Sequence, residues 1–94
     1  MIERKCKFCR VHIVLVRKSS AYGWAVLLPE PVPEHLQDAN RHLVVVDGRA
    51  WKPRELADQI AMRREVTPVE GMNIARDEWT WHEIHRCTRG GDGS

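Results

Sequence analysis

Cys6-Lys-Phe-Cys9, followed closely by Val11-His-Ile-Val-Leu-Val-Arg17, is the stretch on which the predicted fold depends. The two-residue spacing lets a tight turn aim both thiolates at one metal ion, and Zn²⁺ favours four sulfur or imidazole ligands in a tetrahedron. The β-branched run behind the turn is too short for a free-standing helix, so it predicts a strand. We therefore expect a metal-binding turn that leads directly into a sheet.

The other half of such a site is expected near the far end of the chain, where His82-Glu-Ile-His85-Arg-Cys87 concentrates ligand-type residues. His85 and Cys87 are two residues apart, so on an extended strand their side chains face the same side. His82 is the alternative fourth ligand, and His12, close in sequence to the first cysteine pair, is a further candidate. The predicted zinc ligands are Cys6, Cys9, His85 and Cys87.

The long sequence gap between the two halves does not argue against one shared metal ion. Closing the longer loop costs only about 1 to 1.5 kcal/mol more than closing the loop of about 15 to 20 residues that is usual in zinc ribbons. A structural zinc site contributes on the order of 10 kcal/mol at neutral pH. Three cysteines cannot pair evenly, which favours a metal over a disulfide framework. Three unligated buried thiols are the remaining alternative.

The chain of 94 residues allows one core, and we expect a single zinc-binding domain over residues 1–88 with a flexible tail over 89–94. Because no signal-peptide-like apolar stretch follows the first residues, we expect a cytoplasmic protein whose thiols stay reduced. No apolar run is long enough to span a bilayer, so no membrane partner is expected.

Alternating and apolar segments predict the secondary structure. A helix is expected over about 53–65, where Pro53 suits a first helical position, and 69–75 is ambiguous between a loop and a short helix. No regular element is expected to cross Pro29-Glu-Pro-Val-Pro33. The predicted fold class is α+β: a small antiparallel sheet of three to four strands, one main helix, and a zinc-ribbon-like knuckle that joins the N- and C-terminal segments. The strands are predicted over 11–17, 24–28, 42–46 and 78–84.

Basic residues are concentrated near the start of the chain, where Glu3 is the single acidic residue among the first eighteen. They predict either a nucleic-acid-binding patch around the cysteine turn, with an affinity that falls steeply with salt, or a solvated charged edge. The residues are Arg4, Lys5, Lys7, Arg10, Arg17 and Lys18.

Trp79 and Trp81 are two of four tryptophans in a chain with one Tyr and one Phe. On a strand their side chains would face the same side and form a surface for a protein partner. The alternative is that the tryptophans build a core that lacks other aromatic residues. Because the net charge is only +2, we expect a host protein or protein complex as the partner, ahead of a nucleic acid.

Catalysis by the metal is not expected. A catalytic zinc keeps one position open for water and needs a general base beside it. Glu83 adjoins His82, but His82 and His85 are one residue short of the helical HExxH spacing. Four protein ligands would also close the site, so we expect neither enzyme activity nor a small-molecule substrate.

Four features occur in a recognisable order: the Cys6-Lys-Phe-Cys9 turn with its apolar strand, Pro29-Glu-Pro-Val-Pro33, Leu43-Val-Val-Val-Asp-Gly-Arg49, and a His-rich end that closes at Cys87. This order resembles that in a group of small, mostly uncharacterised zinc-ribbon-like proteins of actinobacteria and their phages. The resemblance implies a zinc-bound fold and a phage or accessory origin. It does not supply an activity. From the closed metal site and the modest net charge we expect a non-enzymatic binding module that binds and modulates a host protein, with a nucleic-acid-binding, transcription-related zinc ribbon as the alternative.

Overall fold

The computed structural model describes residues 2–19 and 22–86, so Cys87 and the expected tail over 89–94 lie outside the described residues. No helix within these ranges is both long enough and apolar enough to cross a membrane. The elements are β1 Ile2–Lys5, β2 His12–Lys18, β3 Trp24–Pro31, a 3₁₀-helix Glu34–Leu36, β4 His42–Val46, β5 Arg49–Trp51, α1 Pro53–Arg64, α2 Pro68–Glu78 and β6 Thr80–Ile84.

The strands form one sheet in the order β1-β2-β3-β6-β4-β5, and β2 also pairs with β5. This last pairing is parallel and joins Arg17 to Arg49 and Lys18 to Ala50. It closes β2, β3, β6, β4 and β5 into a small barrel, with β1 as an additional strand on the first half of β2. All other strand pairs are antiparallel. Closure removes the free edges that an open sheet would expose.

The expectation of a three- to four-stranded sheet with one main helix is therefore wrong. Strands β2, β3, β4 and β6 and helix α1 lie where the sequence predicts them, but β1, β5 and α2 are additional elements. β1 is the polar segment Ile-Glu-Arg-Lys, and β5 is only three residues long. Neither contains the apolar run that predicts a strand, so β1 depends on its pairing with β2, and β5 on its pairing with β4 and β2.

β3 continues through Pro29 to Pro31, so the expectation that no regular element crosses the prolines is also wrong. Proline removes a hydrogen-bond donor, but the pairing of β3 with β6 shifts register between Leu27 and Pro31, where a regular ladder of donors is not required. Donation resumes at Val32, whose N–H bonds to the carbonyl oxygen of Trp81 at 2.7 Å. The irregularity thus lets the strand accommodate two prolines.

Asp47-Gly48 joins β4 to β5 as a two-residue turn, and both residues have positive φ, 49° and 76°. Positive φ at both central positions is typical of the type I′ hairpin turn, whose twist matches that of the paired strands, and Asp-Gly is one of the dipeptides that favour it. The turn folds Arg49 back against Val46. It thereby places β5 where it can reach β2 and close the barrel.

Two clusters of buried side chains form the core. The first lies inside the barrel, where alternate residues of β2 and β3 point, and comprises Val14, Val16, Ala25, Leu27 and Ala50. The second joins the sheet to the helices and comprises Val44, Leu56, Ile60, Ala75 and Trp81. Neither cluster contains Cys6 or Cys9, so the cysteine turn lies at the edge of the core.

The segment between the helices both ends α1 and begins α2. Glu65, which follows α1, adopts a left-handed conformation with φ of 54°. Thr67 is the N-cap of α2, and its Oγ1 accepts a hydrogen bond from the N–H of Glu70 at 3.2 Å. Pro68 occupies the first helical position, where a missing N–H costs nothing. The ambiguous segment 69–75 is therefore helical because a capping motif precedes it.

Gly71 lies at the closest approach of the two helices, and we predict that Gly71→Ala destabilises the protein. A Cβ at this position would collide with the backbone carbonyl oxygen of Ala57. Because a backbone atom cannot rotate away, the helices must separate at a cost of about 1 to 3 kcal/mol, which outweighs the gain of up to about 1 kcal/mol from helix propensity. Urea unfolding measures the net loss. Asn73→Ala, on the exposed side of α2, is the matched control and should be neutral or slightly stabilising.

Candidate metal centre

The knuckle, residues 6–11, is the loop that joins β1 to β2. Two backbone hydrogen bonds close it: Cys6 N–H donates to the carbonyl oxygen of Val11 and Arg10 N–H donates to that of Cys6, both at 2.9 Å. Arg10 has φ of 59°, in the left-handed region that turns the chain sharply. The loop therefore holds Cys6, which is buried, and Cys9, which is half-buried, on one tight turn.

His85 approaches the knuckle from the other end of the chain. Its N–H donates to the carbonyl oxygen of Val26 at 2.9 Å, which holds the backbone in place one residue beyond β6. Cys9 Sγ and His85 Nε2 are 3.5 Å apart. The ligand atoms of Cys6, Cys9 and His85 all lie within 4.8 Å of one another. The fold thus brings together three of the six residues that the sequence offers as candidate ligands.

The donor atoms of these three side chains lie close enough together to hold a metal ion. Zn–S bonds of about 2.3 Å and Zn–N bonds of about 2.0 Å at the tetrahedral angle put a sulfur and a nitrogen ligand about 3.5 Å apart. The separation between Cys9 Sγ and His85 Nε2 is 3.5 Å. Two thiols and an imidazole also suit Zn²⁺ far better than Mg²⁺ or Ca²⁺, which prefer oxygen. The cluster can therefore hold a metal ion.

The pKa of the Cys6 thiol is lowered from 9.0 to about 6. The backbone N–H of Cys9 has the largest effect, followed by the N–H of Phe8 and the side chain of His85, while burial opposes them. A tight CxxC turn aims successive N–H groups at its first sulfur, which stabilises the thiolate. Cys6 is therefore mainly ionised at neutral pH and can bind a metal with little proton release.

We predict that the metal-free protein becomes less stable as the pH falls from 9 toward 6. Because the pKa of Cys6 is about 6 in the folded chain and near 9.0 without its native partners, the stabilisation by its thiolate is complete above pH 9. It is lost as the pH falls through about 6. Urea unfolding of chelator-treated protein measures this dependence. Cys6→Ser should reduce it, and an undiminished slope in that variant would contradict the assignment.

His82 does not join the cluster, because both of its ring nitrogens have other partners. The ring is buried in β6; its Nδ1 donates to the carbonyl oxygen of Leu28, and its Nε2 is hydrogen-bonded to the hydroxyl group of Thr80, both at 2.9 Å. Since a carbonyl oxygen can only accept, the bond to Leu28 requires a proton on Nδ1. His12 lies exposed in β2, outside the cluster. Cys87 lies beyond the described residues.

No carboxylate of the described ranges 2–19 and 22–86 belongs to the cluster. Glu83, the residue beside His82 that a hydrolytic mechanism would use as a base, is exposed and faces Arg41 at 3.8 Å. A general base must lie within hydrogen-bond reach of the water it activates. Glu83 is therefore not part of the cluster.

The six basic residues near the start of the chain are divided between two ends of the structure. Arg17 and Lys18 end β2, about 20 Å from the knuckle at roughly 3.3 Å per residue. There Arg17 pairs with Arg49 of β5, a cation that sequence reasoning missed because the pairing depends on barrel closure. The other four are exposed in β1 and the knuckle: Arg4, Lys5, Lys7 and Arg10.

Trp79 and Trp81 do not form an exposed pair. Trp81 is fully buried, and its Nε1 donates to the carbonyl oxygen of Ala75 at 3.1 Å. Trp79 is half-buried against the same core cluster and lies directly before β6, where its backbone is extended. The tryptophan with substantial exposure is Trp24, at 45 %.

No protein-family model, curated protein or solved structure matches this chain. The cluster is therefore described by its own residues: two thiols and an imidazole, one of the thiols with a lowered pKa, on segments from opposite ends of the chain.

Proposed function

We propose that this chain is a non-enzymatic binding module held together by one structural Zn²⁺. The observation that supports the proposal is the convergence of Cys6, Cys9 and His85. The cysteines precede β2 and the histidine follows β6, so one metal ion would tie the knuckle to the end of the last strand. Such a cross-link suits a chain of 94 residues, because the core of so small a domain gives only marginal stability.

Cys87 is the proposed fourth ligand. A closed tetrahedral site needs one further donor, and Cys87 follows His85 by two residues in the sequence. Three thiolates and one imidazole would leave no position open for a reacting water. No carboxylate of the described residues adjoins the cluster, so the proposed role of the metal is to stabilise the fold and not to perform chemistry.

The metal content of the purified protein tests the proposal. Native mass spectrometry should find one Zn²⁺ per chain. We predict that Cys87→Ser weakens zinc binding by more than roughly 10- to 100-fold, the loss that follows removal of an outer-shell partner. His12 is exposed and lies outside the cluster, so His12→Ala is the control and should bind zinc as the wild type does. Protein purified with zinc under reducing conditions that still carries no metal would overturn the proposal.

The proposed partner is a macromolecule in the cytoplasm. A host protein is one candidate, supported by the resemblance to zinc-ribbon-like proteins of actinobacteria and their phages; the burial of Trp81 weakens the aromatic surface first expected for it. A nucleic acid is favoured by a specific observation, because Arg17, Lys18 and Arg49 lie beside the exposed Trp24.

A pull-down from host lysate distinguishes a protein partner from a nucleic acid. Capture that nuclease or high salt abolishes indicates a nucleic acid, and capture that survives both indicates a protein.

A further inference from the structure

We propose that the barrel end remote from the knuckle binds single-stranded nucleic acid. The surface consists of Arg17, Lys18, Tyr22, Trp24 and Arg49, and we call it the cation–indole face. The inference rests on the proposed binding module and deepens it by naming a ligand class and the residues that contact it. Three observations carry it: the strand register, the charge around the depression, and the exposure of its aromatic rings.

Strand pairing builds the cation–indole face. Arg17 pairs with Arg49 of β5 on one side and with Trp24 of β3 on the other, and paired residues of neighbouring strands point to the same face of a sheet. Val16 and Ala25, the sequence neighbours of Arg17 and Trp24, are buried in the barrel. The row therefore points outward, and two guanidinium groups and an indole ring lie side by side.

The electrostatics of this face favour a polyanion. Its residues line an open depression of about 410 Å³, and the seven described residues that line it include three cations and neither Asp nor Glu. Among the described residues, the salt bridges Arg41–Glu83 and Arg64–Glu78 do not involve these three cations, and Asp47, two residues before Arg49, does not line the depression. Positive charge clustered in one depression attracts phosphate groups and raises the rate of encounter.

The aromatic rings of the face supply the second element of recognition. Trp24 is 45 % exposed, and the guanidinium carbon of Arg17 lies 5.6 Å from the centre of its ring. That cation–π contact holds the indole in place. Tyr22, two residues earlier, is fully exposed. Nucleobases stack on such rings without regard to sequence, and stacking rings beside backbone-binding cations are the usual composition of single-strand sites.

A single strand suits this surface better than a duplex does. The bases of a duplex are already stacked on one another, so an aromatic side chain outside the helix cannot stack on them, whereas unpaired bases can turn outward onto a ring. Three cations that each contact one phosphate of a single strand predict a slope of about −2 for log affinity against log salt. The face is thus expected to show both salt dependence and dependence on an aromatic ring.

The test uses the zinc-loaded full-length chain and a fluorescein-labelled oligothymidine of about 15 nucleotides, with binding followed by fluorescence anisotropy at several salt concentrations. The combined Arg17→Gln and Arg49→Gln variant should bind at least about tenfold more weakly than the wild type. Its slope of log affinity against log salt should lie between about −1 and zero. Trp24→Ala should weaken binding by about 5- to 100-fold with an unchanged slope. Trp24→Phe should recover most of that loss because it keeps a stacking ring.

The combined Arg4→Gln and Lys5→Gln variant, on exposed positions of β1, removes the same charge and is the matched control. It should bind within about twofold of the wild type, because its side chains lie toward the knuckle and not at the remote end of β2. Zinc content and melting temperature of each variant separate loss of the surface from loss of the fold. A zinc-loaded protein that does not bind the oligonucleotide overturns this inference and leaves the proposed metal module intact. The inference would also be overturned if both charge variants lost the same affinity for the oligonucleotide. Tighter binding to a duplex of the same length than to the single strand would overturn it as well.

Discussion

Removal of Zn²⁺ is expected to lower the melting temperature of the protein by roughly 15 to 30 °C. A ligand that binds only the folded state and is present at about 1,000 times its dissociation constant adds about 4 kcal/mol. In a domain of fewer than about 100 residues, each kcal/mol moves the melting midpoint by about 4 to 8 °C. Structural zinc sites bind so tightly at neutral pH that even a trace concentration of free zinc is about 1,000 times the dissociation constant.

The loss should appear first in β1 and the knuckle. All four residues of β1 are exposed, and neither core cluster contains a residue of β1 or of the knuckle. Without the metal, this part of the chain would be held mainly by the backbone pairs between β1 and β2. Amide hydrogen exchange should therefore accelerate in β1 much more than in β4, where Val44 is fully buried.

Cys6→Ser should reproduce the effect of the chelator, and the chelator should then cause no further shift in that variant. Lys7→Ser is the matched control, because it places the same residue in the same loop on an exposed side chain outside the cluster. It should melt within a few degrees of the wild type and remain sensitive to the chelator. If the wild-type melting temperature did not respond to chelation, the proposal of a zinc-stabilised module would fail.

The residues of the metal cluster could be predicted because their chemistry is local at each end of the chain. Cys6 and Cys9 have the spacing of a metal-binding turn, and His85 belongs to the one segment rich in further ligands. Spacing alone could not choose between His85 and His82. That choice depends on the hydrogen bonds of His82 to Leu28 and Thr80, and the Leu28 bond exists only once β6 is placed beside β3.

The closed barrel could not be predicted, since its closure depends on two residue pairs between β2 and β5. Such a short parallel pairing leaves no periodic pattern in either segment, and β5 is too short to be predicted as a strand by itself. The same closure brings Arg49 to Arg17. Charge patterning along a sequence reports neighbours on one segment, so it grouped Arg17 with the residues of the knuckle and not with its true neighbour across the strands.

Trp81→Ala is expected to destabilise the protein by about 3 to 5 kcal/mol, a large part of the roughly 5 to 15 kcal/mol that keeps a domain folded. Trp81 is fully buried in the core cluster that joins the sheet to the helices, with Val44 and Leu56 among its members. Its removal would leave a cavity that paired strands cannot easily close. It would also remove the indole donor from the buried carbonyl group of Ala75, and an unsatisfied buried acceptor costs about 1 to 3 kcal/mol.

Urea unfolding separates these contributions. Trp81→Phe keeps much of the ring volume and loses the hydrogen bond to Ala75, so it should be intermediate, with a loss of about 1 to 3 kcal/mol. Trp24→Ala makes the same chemical change at a position that is 45 % exposed, and should cost about 1 kcal/mol or less. If Trp81→Ala were as mild as Trp24→Ala, Trp81 would have to be a surface residue available to a partner, as its alternation with Trp79 first suggested. If Trp81→Ala loses much of the free energy of unfolding and Trp24→Ala loses little, Trp81 is a core residue and Trp24 is available for binding.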